Sequence, residues 1–254
     1  MRDRQDNTAM QCRPVIQRVA NFLSGAARNI DVALMPKHCV FCGMSSPPDE
    51  ASICSGCYAD LPRIEHSCGR CASPVSTTLP EGIHCGACQA SPPPFVSAVA
   101  RLEYAFPTDA AIKAMKFNRR LDYVPAFAGL LIDSMVDLAD DIDALVAVPL
   151  HWHRQATRGF NQAEELCKPL MLNTGLPILG NVRRTRATPY QSALDARHRH
   201  GNLESAFAVR GKISARHVLV VDDVITTGET CGQLARVLLE NGVERVSVLA
   251  IARA

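Results

Sequence analysis

The sequence predicts an α/β domain built on a parallel β-sheet, preceded by a small cysteine-rich metal-binding module. Two observations indicate this fold class. Apolar, β-branched runs typical of buried strands alternate with helical patterns across residues 98–252, and such alternation is typical of parallel sheets. Eight of the 11 cysteines, in contrast, form four CxxC pairs between residues 39 and 88. We therefore expect two structural units within the 254 residues: a metal-binding module and an α/β domain.

Residues 1–36 carry an amphipathic helical pattern, with apolar side chains recurring at helical spacing between Val15 and Ile30. We interpret this segment as a docking helix, and its arginines leave a peripheral association with the inner membrane open as the alternative. It lacks the apolar core of a signal peptide, and the sequence contains no apolar run of about 18 residues. We therefore expect a cytoplasmic protein.

The four CxxC pairs of residues 37–90 predict a double zinc ribbon. Gaps of 11, 10 and 13 residues separate the pairs, and two such pairs complete a tetrahedral four-cysteine site. Joining the pairs in sequence order gives a first site of Cys39, Cys42, Cys54 and Cys57 and a second of Cys68, Cys71, Cys85 and Cys88. A crossed pairing and an iron–sulfur cluster remain open, whereas disulfides require an oxidising compartment. We expect two structural Zn²⁺ ions, because the module has little apolar mass of its own.

Residues 91–94, Ser-Pro-Pro-Pro, read as a stiff linker that separates this module from a second domain over residues 95–254. The predicted strands of that domain are residues 98–104, 144–149, 205–209, 217–223 and 245–252. The predicted helices are residues 110–117, 121–139, 161–172 and 228–241. In a parallel sheet, functional residues are expected where the strands end in loops at their carboxyl ends.

The stretch VLVVDDVITTGET, Val218–Thr230, contains the strongest functional signal. Asp222 and Asp223 come at the end of an apolar strand, where two adjacent carboxylates need partners. The loop of residues 226–230 then offers hydroxyls and backbone N–H groups at the start of a helix, whose N-terminal dipole favours an anion. Carboxylates that accept hydrogen bonds from vicinal hydroxyls, beside a phosphate-binding loop, predict a ribose 5-phosphate ligand.

This stretch resembles the signature of type I phosphoribosyltransferases, which bind phosphoribosyl pyrophosphate (PRPP) together with Mg²⁺. The resemblance implies their parallel sheet with helices on both faces, and it places the catalytic residues Asp222 and Asp223 at the ribose hydroxyls. The polar loop after Val148-Pro149 is then the expected diphosphate loop, which ends at Arg158. The implied PRPP-binding residues are Asp222, Asp223, Val224, Thr226, Thr227, Gly228, Thr230 and Arg158.

A narrower resemblance rests on the segment Arg158-Gly-Phe-Asn-Gln, on Tyr104 and Lys116-Phe117, and on Thr-x-x-Gln, Arg-x-x-Asn and Ala-Phe landmarks in residues 183–207. With the cysteine-rich module, these residues resemble the ComF family, including its GntX-like members, from about residue 35 onwards. ComF proteins pair a zinc module with a phosphoribosyltransferase-like domain. Those studied handle incoming single-stranded DNA during natural competence, so the resemblance implies DNA and a competence helicase as partners.

Clusters of basic residues also favour an anionic ligand, although a solvated surface is the alternative for each cluster. Five arginines form a predicted nucleic-acid-binding hood: Arg183, Arg184, Arg186, Arg197 and Arg199. Two smaller clusters are Lys113, Lys116, Arg119 and Arg120, and Arg154 with Arg158. Two functions remain open at this point. The protein either binds PRPP while acting in DNA handling, or is a catalytic phosphoribosyltransferase that acts on a nucleobase or related acceptor.

Overall fold

The computed structural model describes residues 38–45, 52–150, 157–185 and 206–254. The chain divides into two compact units, residues 1–54 and residues 55–254. The second unit holds the cysteines of residues 68–88 as well as the sheet. The domain boundary at residues 91–94 stays a prediction, and the helix predicted within residues 1–36 lies outside the described residues.

The second unit contains the helices and strands that its sequence predicts, in the predicted order, together with short elements that the sequence does not predict. Two short helices come first, α1 (Ser55–Ala59) and α2 (Gly86–Ala90). They are followed by β1 (Ser97–Glu103), α3 (Thr108–Asn118), α4 (Tyr123–Ser134), β2 (Ala144–Ala147) and α5 (Gln162–Thr174). The remaining elements are β3 (Val182–Arg184), β4 (Phe207–Val209), β5 (His217–Ile225), α6 (Glu229–Glu240) and β6 (Arg245–Arg253).

The central sheet has four parallel strands in the order β1-β6-β5-β2. This confirms the predicted fold class of a mixed α/β protein with a parallel central sheet. The interior strand β5, HVLVVDDVI, is buried along most of its length. Its near-continuous apolar sequence follows from its position, because an interior strand of a covered parallel sheet buries both of its faces.

Helices pack on both faces of this sheet. On one face, Leu234 and Leu238 of α6 share a buried cluster with Val220 of β5 and with Ala72, which comes from the cysteine-rich segment. The alternate residues of β5, such as Leu219, are also fully buried and point to the opposite face. There α4 and α5 pack against each other and against the strands. The cysteine-rich segment thus contributes directly to the core of the α/β unit.

The structure corrects one sequence expectation about the sheet. The segment predicted as a strand over residues 205–209 does not join the parallel sheet, since β4 pairs antiparallel with β3 in a separate two-stranded sheet. Strands of three residues are too short for hydrophobic periodicity to specify a partner, and β3 itself was not predicted. No helix among the described residues is long and apolar enough to cross a membrane.

The amino-terminal end of the sheet contains a buried polar network. His217 Nδ1 lies 2.7 Å from Asp141 Oδ1, and His217 Nε2 lies 2.9 Å from Ser247 Oγ. The types of residue are those of a catalytic triad, but Ser247 is fully buried and its hydroxyl also contacts Ser97 Oγ at 2.8 Å. Burial lowers the pKa of His217. We assign this network to holding strands β1, β5 and β6 together.

Candidate functional site

The acidic pair Asp222–Asp223 lies near the carboxyl end of β5, which continues to Ile225. Strand β2 ends opposite Val221, so β5 extends past this neighbour. The backbone N–H of Asp223 donates to Asp222 Oδ1 at 2.8 Å, and the Asp223 side chain is buried while Asp222 is partly exposed. The pair therefore lies at the carboxyl edge of the sheet, where the sequence predicts a site.

The electrostatics of the pair favour a ligand that donates hydrogen bonds. Although Asp222 is partly exposed, the surrounding protein excludes water from much of its carboxyl group, and this burial raises its pKa to about 7. Repulsion from Asp223 acts in the same direction. The positive charges of Lys116 and Arg184 oppose this rise. Lys116 forms the closest ion pair, with its Nζ 2.8 Å from Asp223 Oδ1. Hydroxyl donors would stabilise the ionised form of these acids, since a hydrogen bond to the charged form lowers a carboxyl pKa.

The loop after β5 presents unpaired backbone N–H groups. Gly228, at the N-cap of α6, has φ +78°, a conformation that a side chain would strain. The N–H of Glu229 donates to Thr227 Oγ1 at 3.3 Å. Within the described part of the chain, the N–H groups of Thr226, Thr227 and Gly228 donate to no backbone carbonyl. The first N–H groups of α6 also lack acceptors within the helix, so the loop can surround an anion.

Arg253, the last residue of β6, holds this loop through hydrogen bonds to its carbonyl oxygens. Its guanidinium donates to the carbonyl oxygens of Ile225, at 3.1 Å, and of Thr226. On its other side it donates to Cys71 O at 3.3 Å and to Ser73 Oγ at 2.9 Å. In a trans peptide the carbonyl and the next N–H point in opposite directions. By holding these two carbonyls, Arg253 directs the following N–H groups away from itself.

The CxxC pairs come together in sequence order as two four-cysteine groups, and within each group the sulfur atoms lie within 4.8 Å of one another. Sulfur–sulfur distances are 3.8 Å for Cys42–Cys54 and 3.6 Å for Cys71–Cys85. A tetrahedral zinc ion about 2.3 Å from each sulfur sets a separation of about 3.8 Å. The donor sets therefore fit zinc, and the crossed pairing is excluded.

Thiolates are stabilised at the first cysteine of each group. Burial would raise the pKa of Cys39 and of Cys68, but hydrogen bonds from neighbouring backbone N–H groups lower it to about 6 in each. Burial and the thiols of Cys71 and Cys85 raise the pKa of Cys88. A full set of four thiolates therefore needs a bound cation to balance its charge, which a structural zinc ion supplies.

Comparison with known proteins agrees with both parts of the chain. The family model of the double zinc ribbon domain matches residues 31–89. The DNA utilization protein YhgH of Escherichia coli (strain K12) is 35% identical over 226 residues, which cover 86% of this chain and 98% of that protein. Competence protein F of Haemophilus influenzae is 32% identical over 225 residues, covering 85% of this chain and 96% of that protein. The chain belongs to the competence protein F (ComF) family.

A further ComF relative also has a name that refers to competence. Competence protein ComFC of Streptococcus pneumoniae is 26% identical over 210 residues, covering 81% of this chain and 89% of that protein. The ComF resemblance predicted from the sequence is thereby confirmed, as is the double zinc ribbon.

One of the predicted hood residues of this ComF chain, Arg184, lies near the acidic pair. Arg184 acts electrostatically on Asp222, and its guanidinium lies 5.4 Å from the centre of the Phe207 ring. Arg158 lies 5.0 Å from the centre of the Phe117 ring. Arg183 is exposed on β3. The remaining predicted basic residues, Arg154, Arg186, Arg197 and Arg199, lie outside the described residues.

The basic cluster on α3 divides into residues with different roles. Lys113 pairs with Asp109 at 2.6 Å, one turn away on the same helix. Arg120 pairs with Asp122 at 2.6 Å. Lys116 instead reaches Asp223 on β5. Sequence spacing identified the cluster but could not distinguish Lys116, because its partner lies in a distant strand.

Proposed function

We propose that this ComF-family protein binds PRPP with Mg²⁺ at the carboxyl end of β5 and acts in the handling of single-stranded DNA. The observation that carries the proposal is the juxtaposition of the acidic pair Asp222–Asp223 with the loop at the start of α6, whose N–H groups donate to no backbone carbonyl among the described residues. The carboxylates can accept hydrogen bonds from the hydroxyls of a ribose, and the N–H groups of the loop can bind its 5-phosphate.

Each part of the site has a role under this proposal. Asp222 and Asp223 accept hydrogen bonds from the ribose hydroxyls, while Thr226, Thr227, Gly228 and Thr230 bind the 5-phosphate. Val224, which follows the acidic pair on β5, completes the set of PRPP-binding residues on this segment. Arg158 contacts the diphosphate. Mg²⁺, a hard cation that prefers oxygen ligands, neutralises the diphosphate charge when the ligand is bound.

Titration calorimetry with PRPP and Mg²⁺ tests this assignment. We expect binding by the wild-type protein and at least tenfold weaker binding by the variant Asp222→Ala/Asp223→Ala, because each lost charge-assisted hydrogen bond costs about 1.5–3 kcal/mol. Asp109→Ala is the matched control, since this partly buried aspartate pairs with Lys113 and accepts the N–H of Ala110, both on its own helix. Equal affinities of the double variant and the control would remove Asp222 and Asp223 from the site.

The names of the relatives, DNA utilization protein and competence protein, support the DNA part of the proposal. We expect Arg183, Arg184 and Arg186 to contact the phosphate backbone of single strands, with a competence helicase as the further partner. Replacing the three arginines with alanine should weaken binding of oligonucleotides of any sequence. The slope of log affinity against log salt should fall by up to about two units, since each neutralised phosphate contributes about 0.7.

A fluorescent oligonucleotide titrated at several salt concentrations measures this slope. An unchanged slope in the triple variant, or no binding by the wild-type protein at low salt, would contradict the DNA role of the hood.

The second candidate function is catalysis of phosphoribosyl transfer to a nucleobase or related acceptor. The observation that favours it is the pair of cations, Lys116 and Arg184, beside the acidic pair. Positive groups in this position stabilise a diphosphate that leaves C1 of the ribose. The assay is diphosphate release from PRPP in the presence of individual nucleobases or DNA. Release that depends on one acceptor identifies an enzyme, whereas PRPP binding without release identifies a binding protein.

A further inference from the structure

The ion pair between Lys116 and Asp223 differs from the other lysine ion pair described on this helix, Lys113–Asp109. Lys116 lies in the last turn of α3, and its Nζ is 2.8 Å from Asp223 Oδ1. The two side chains are only 21% and 10% exposed. Lys113, one turn earlier, is 54% exposed and pairs with Asp109 of the same helix. Lys116 is therefore directed away from its own helix and into the proposed PRPP site.

The end of α3 brings further positive charge towards the segment that precedes α5. The guanidinium of Arg158 lies over the Phe117 ring, and Phe117 directly follows Lys116. Arg119, which caps α3 in a left-handed conformation with φ +55°, approaches Gly159. A Cβ added to Gly159 would lie 3.1 Å from Arg119 Nη2. Glycine thus allows a close approach of the two segments, and cations from both lie near the end of α3.

The stereochemistry of PRPP indicates what these cations contact. In the α-anomer, the diphosphate on C1 and the hydroxyls on C2 and C3 project from the same face of the ribose ring. If the hydroxyls donate to Asp222 and Asp223, the diphosphate lies on the same side as those carboxylates. An ammonium group hydrogen-bonded to Asp223 then lies beside the diphosphate.

We propose that Lys116 contacts the diphosphate of bound PRPP while it holds Asp223, an inference that rests on the proposed function. A lysine ammonium has three N–H donors, so one can remain on Asp223 while another donates to a phosphate oxygen. Hydrogen bonds from a cation to a phosphate are among the stronger ones in proteins. Lys116 thus distinguishes PRPP from ribose 5-phosphate, which shares the hydroxyls and the 5-phosphate but lacks the diphosphate.

Calorimetry of the variant Lys116→Met with two ligands tests this role. PRPP with Mg²⁺ should bind about 10- to 100-fold more weakly than to the wild-type protein, which corresponds to one charge-assisted hydrogen bond. The affinity for ribose 5-phosphate should fall by less than about threefold, because the contacts of this ligand with the loop are intact. Lys116→Arg should recover part of the PRPP affinity, since arginine keeps the charge. Lys113→Met is the matched control and should change neither affinity.

The two ligands separate the possible outcomes. Equal losses for PRPP and ribose 5-phosphate would show that Lys116 acts only by holding Asp223, and would overturn the proposal. Unchanged PRPP affinity in Lys116→Met would also overturn it. If the wild-type protein binds neither ligand, the proposed function itself fails, and Lys116 is not the cause. Far-ultraviolet circular dichroism and thermal unfolding of each variant confirm that a loss of binding is not a loss of folding.

Discussion

The two four-cysteine groups share their ligand chemistry but differ in their surroundings. Cys39, Cys42 and Cys54 of the first group belong to the unit of residues 1–54. The backbone there pairs locally, as in the bond from Val40 N–H to Ser52 O at 3.0 Å. The second group lies entirely in the unit that contains the sheet, and Ala72 between its cysteines is fully buried in the core of that unit.

The second group is also linked to the candidate site. The N–H of Ala98 on β1 donates to Gly69 O at 3.1 Å. This bond links the CxxC pair Cys68–Cys71 to the edge strand of the sheet. Arg253 then connects Cys71 O and Ser73 Oγ with the carbonyls of Ile225 and Thr226. The first group therefore stabilises a short segment of locally paired backbone, whereas the second group also supports the loop of the proposed PRPP site.

The largest effect is expected from removing the second group. The variant Cys68→Ser/Cys71→Ser should lose one of the two zinc ions and unfold the α/β unit or lower its thermal midpoint by more than about 10 °C. The reason is that structural zinc contributes about 10–16 kcal/mol, which is comparable with the whole stability of a domain. Metal analysis and calorimetric unfolding measure both effects.

The variant Cys39→Ser/Cys42→Ser is the matched comparison for the first group. It should also lose one zinc ion, but the α/β unit should keep its thermal midpoint and its PRPP affinity within about twofold. Equal destabilisation of the α/β unit by the two double variants would break the distinction between the groups. Iron and visible absorbance in the purified protein would instead indicate iron–sulfur clusters.

A smaller effect is expected from Arg253→Gln, which sharpens the comparison by cutting the link between the second group and the loop. Stability should fall by about 1.5–3 kcal/mol, the cost of charge-assisted hydrogen bonds, while zinc content stays unchanged. PRPP affinity should fall about 5- to 20-fold, because the loop N–H groups lose the constraint on their direction. Arg236→Gln is the control, since this exposed arginine on α6 pairs with Glu229 at 3.9 Å, whereas the bonds to the carbonyls of Ile225 and Thr226 come from Arg253.

If Arg253→Gln lowered zinc content without changing PRPP affinity, the arginine would belong to the metal site alone. If Arg236→Gln lowered PRPP affinity as much as Arg253→Gln does, the role of Arg253 would be only to supply positive charge near the loop.

Sequence reasoning predicted those features that depend on local spacing. The CxxC pairs, the apolar run of β5 with Asp222 and Asp223 at its end, and the loop of residues 226–230 that follows it are each specified within a few residues. The contacts of Arg253 and Lys116 could not be predicted in the same way, because they depend on tertiary packing. Arg253 meets Cys71 across 182 positions, and no pattern within either segment indicates the other. The pairing of β3 with β4 was missed for the related reason that three-residue strands carry little periodicity.

Amide hydrogen exchange with and without PRPP and Mg²⁺ tests the central claim most directly, namely that the loop between β5 and α6 holds the ligand. The account predicts that the ligand slows exchange of the amides of residues 226–230, because their N–H groups pass from solvent to the 5-phosphate. The Asp222→Ala/Asp223→Ala variant, at the same ligand concentration, should show little of this protection. Ligand-dependent protection of other segments with unchanged exchange at residues 226–230 would contradict the account.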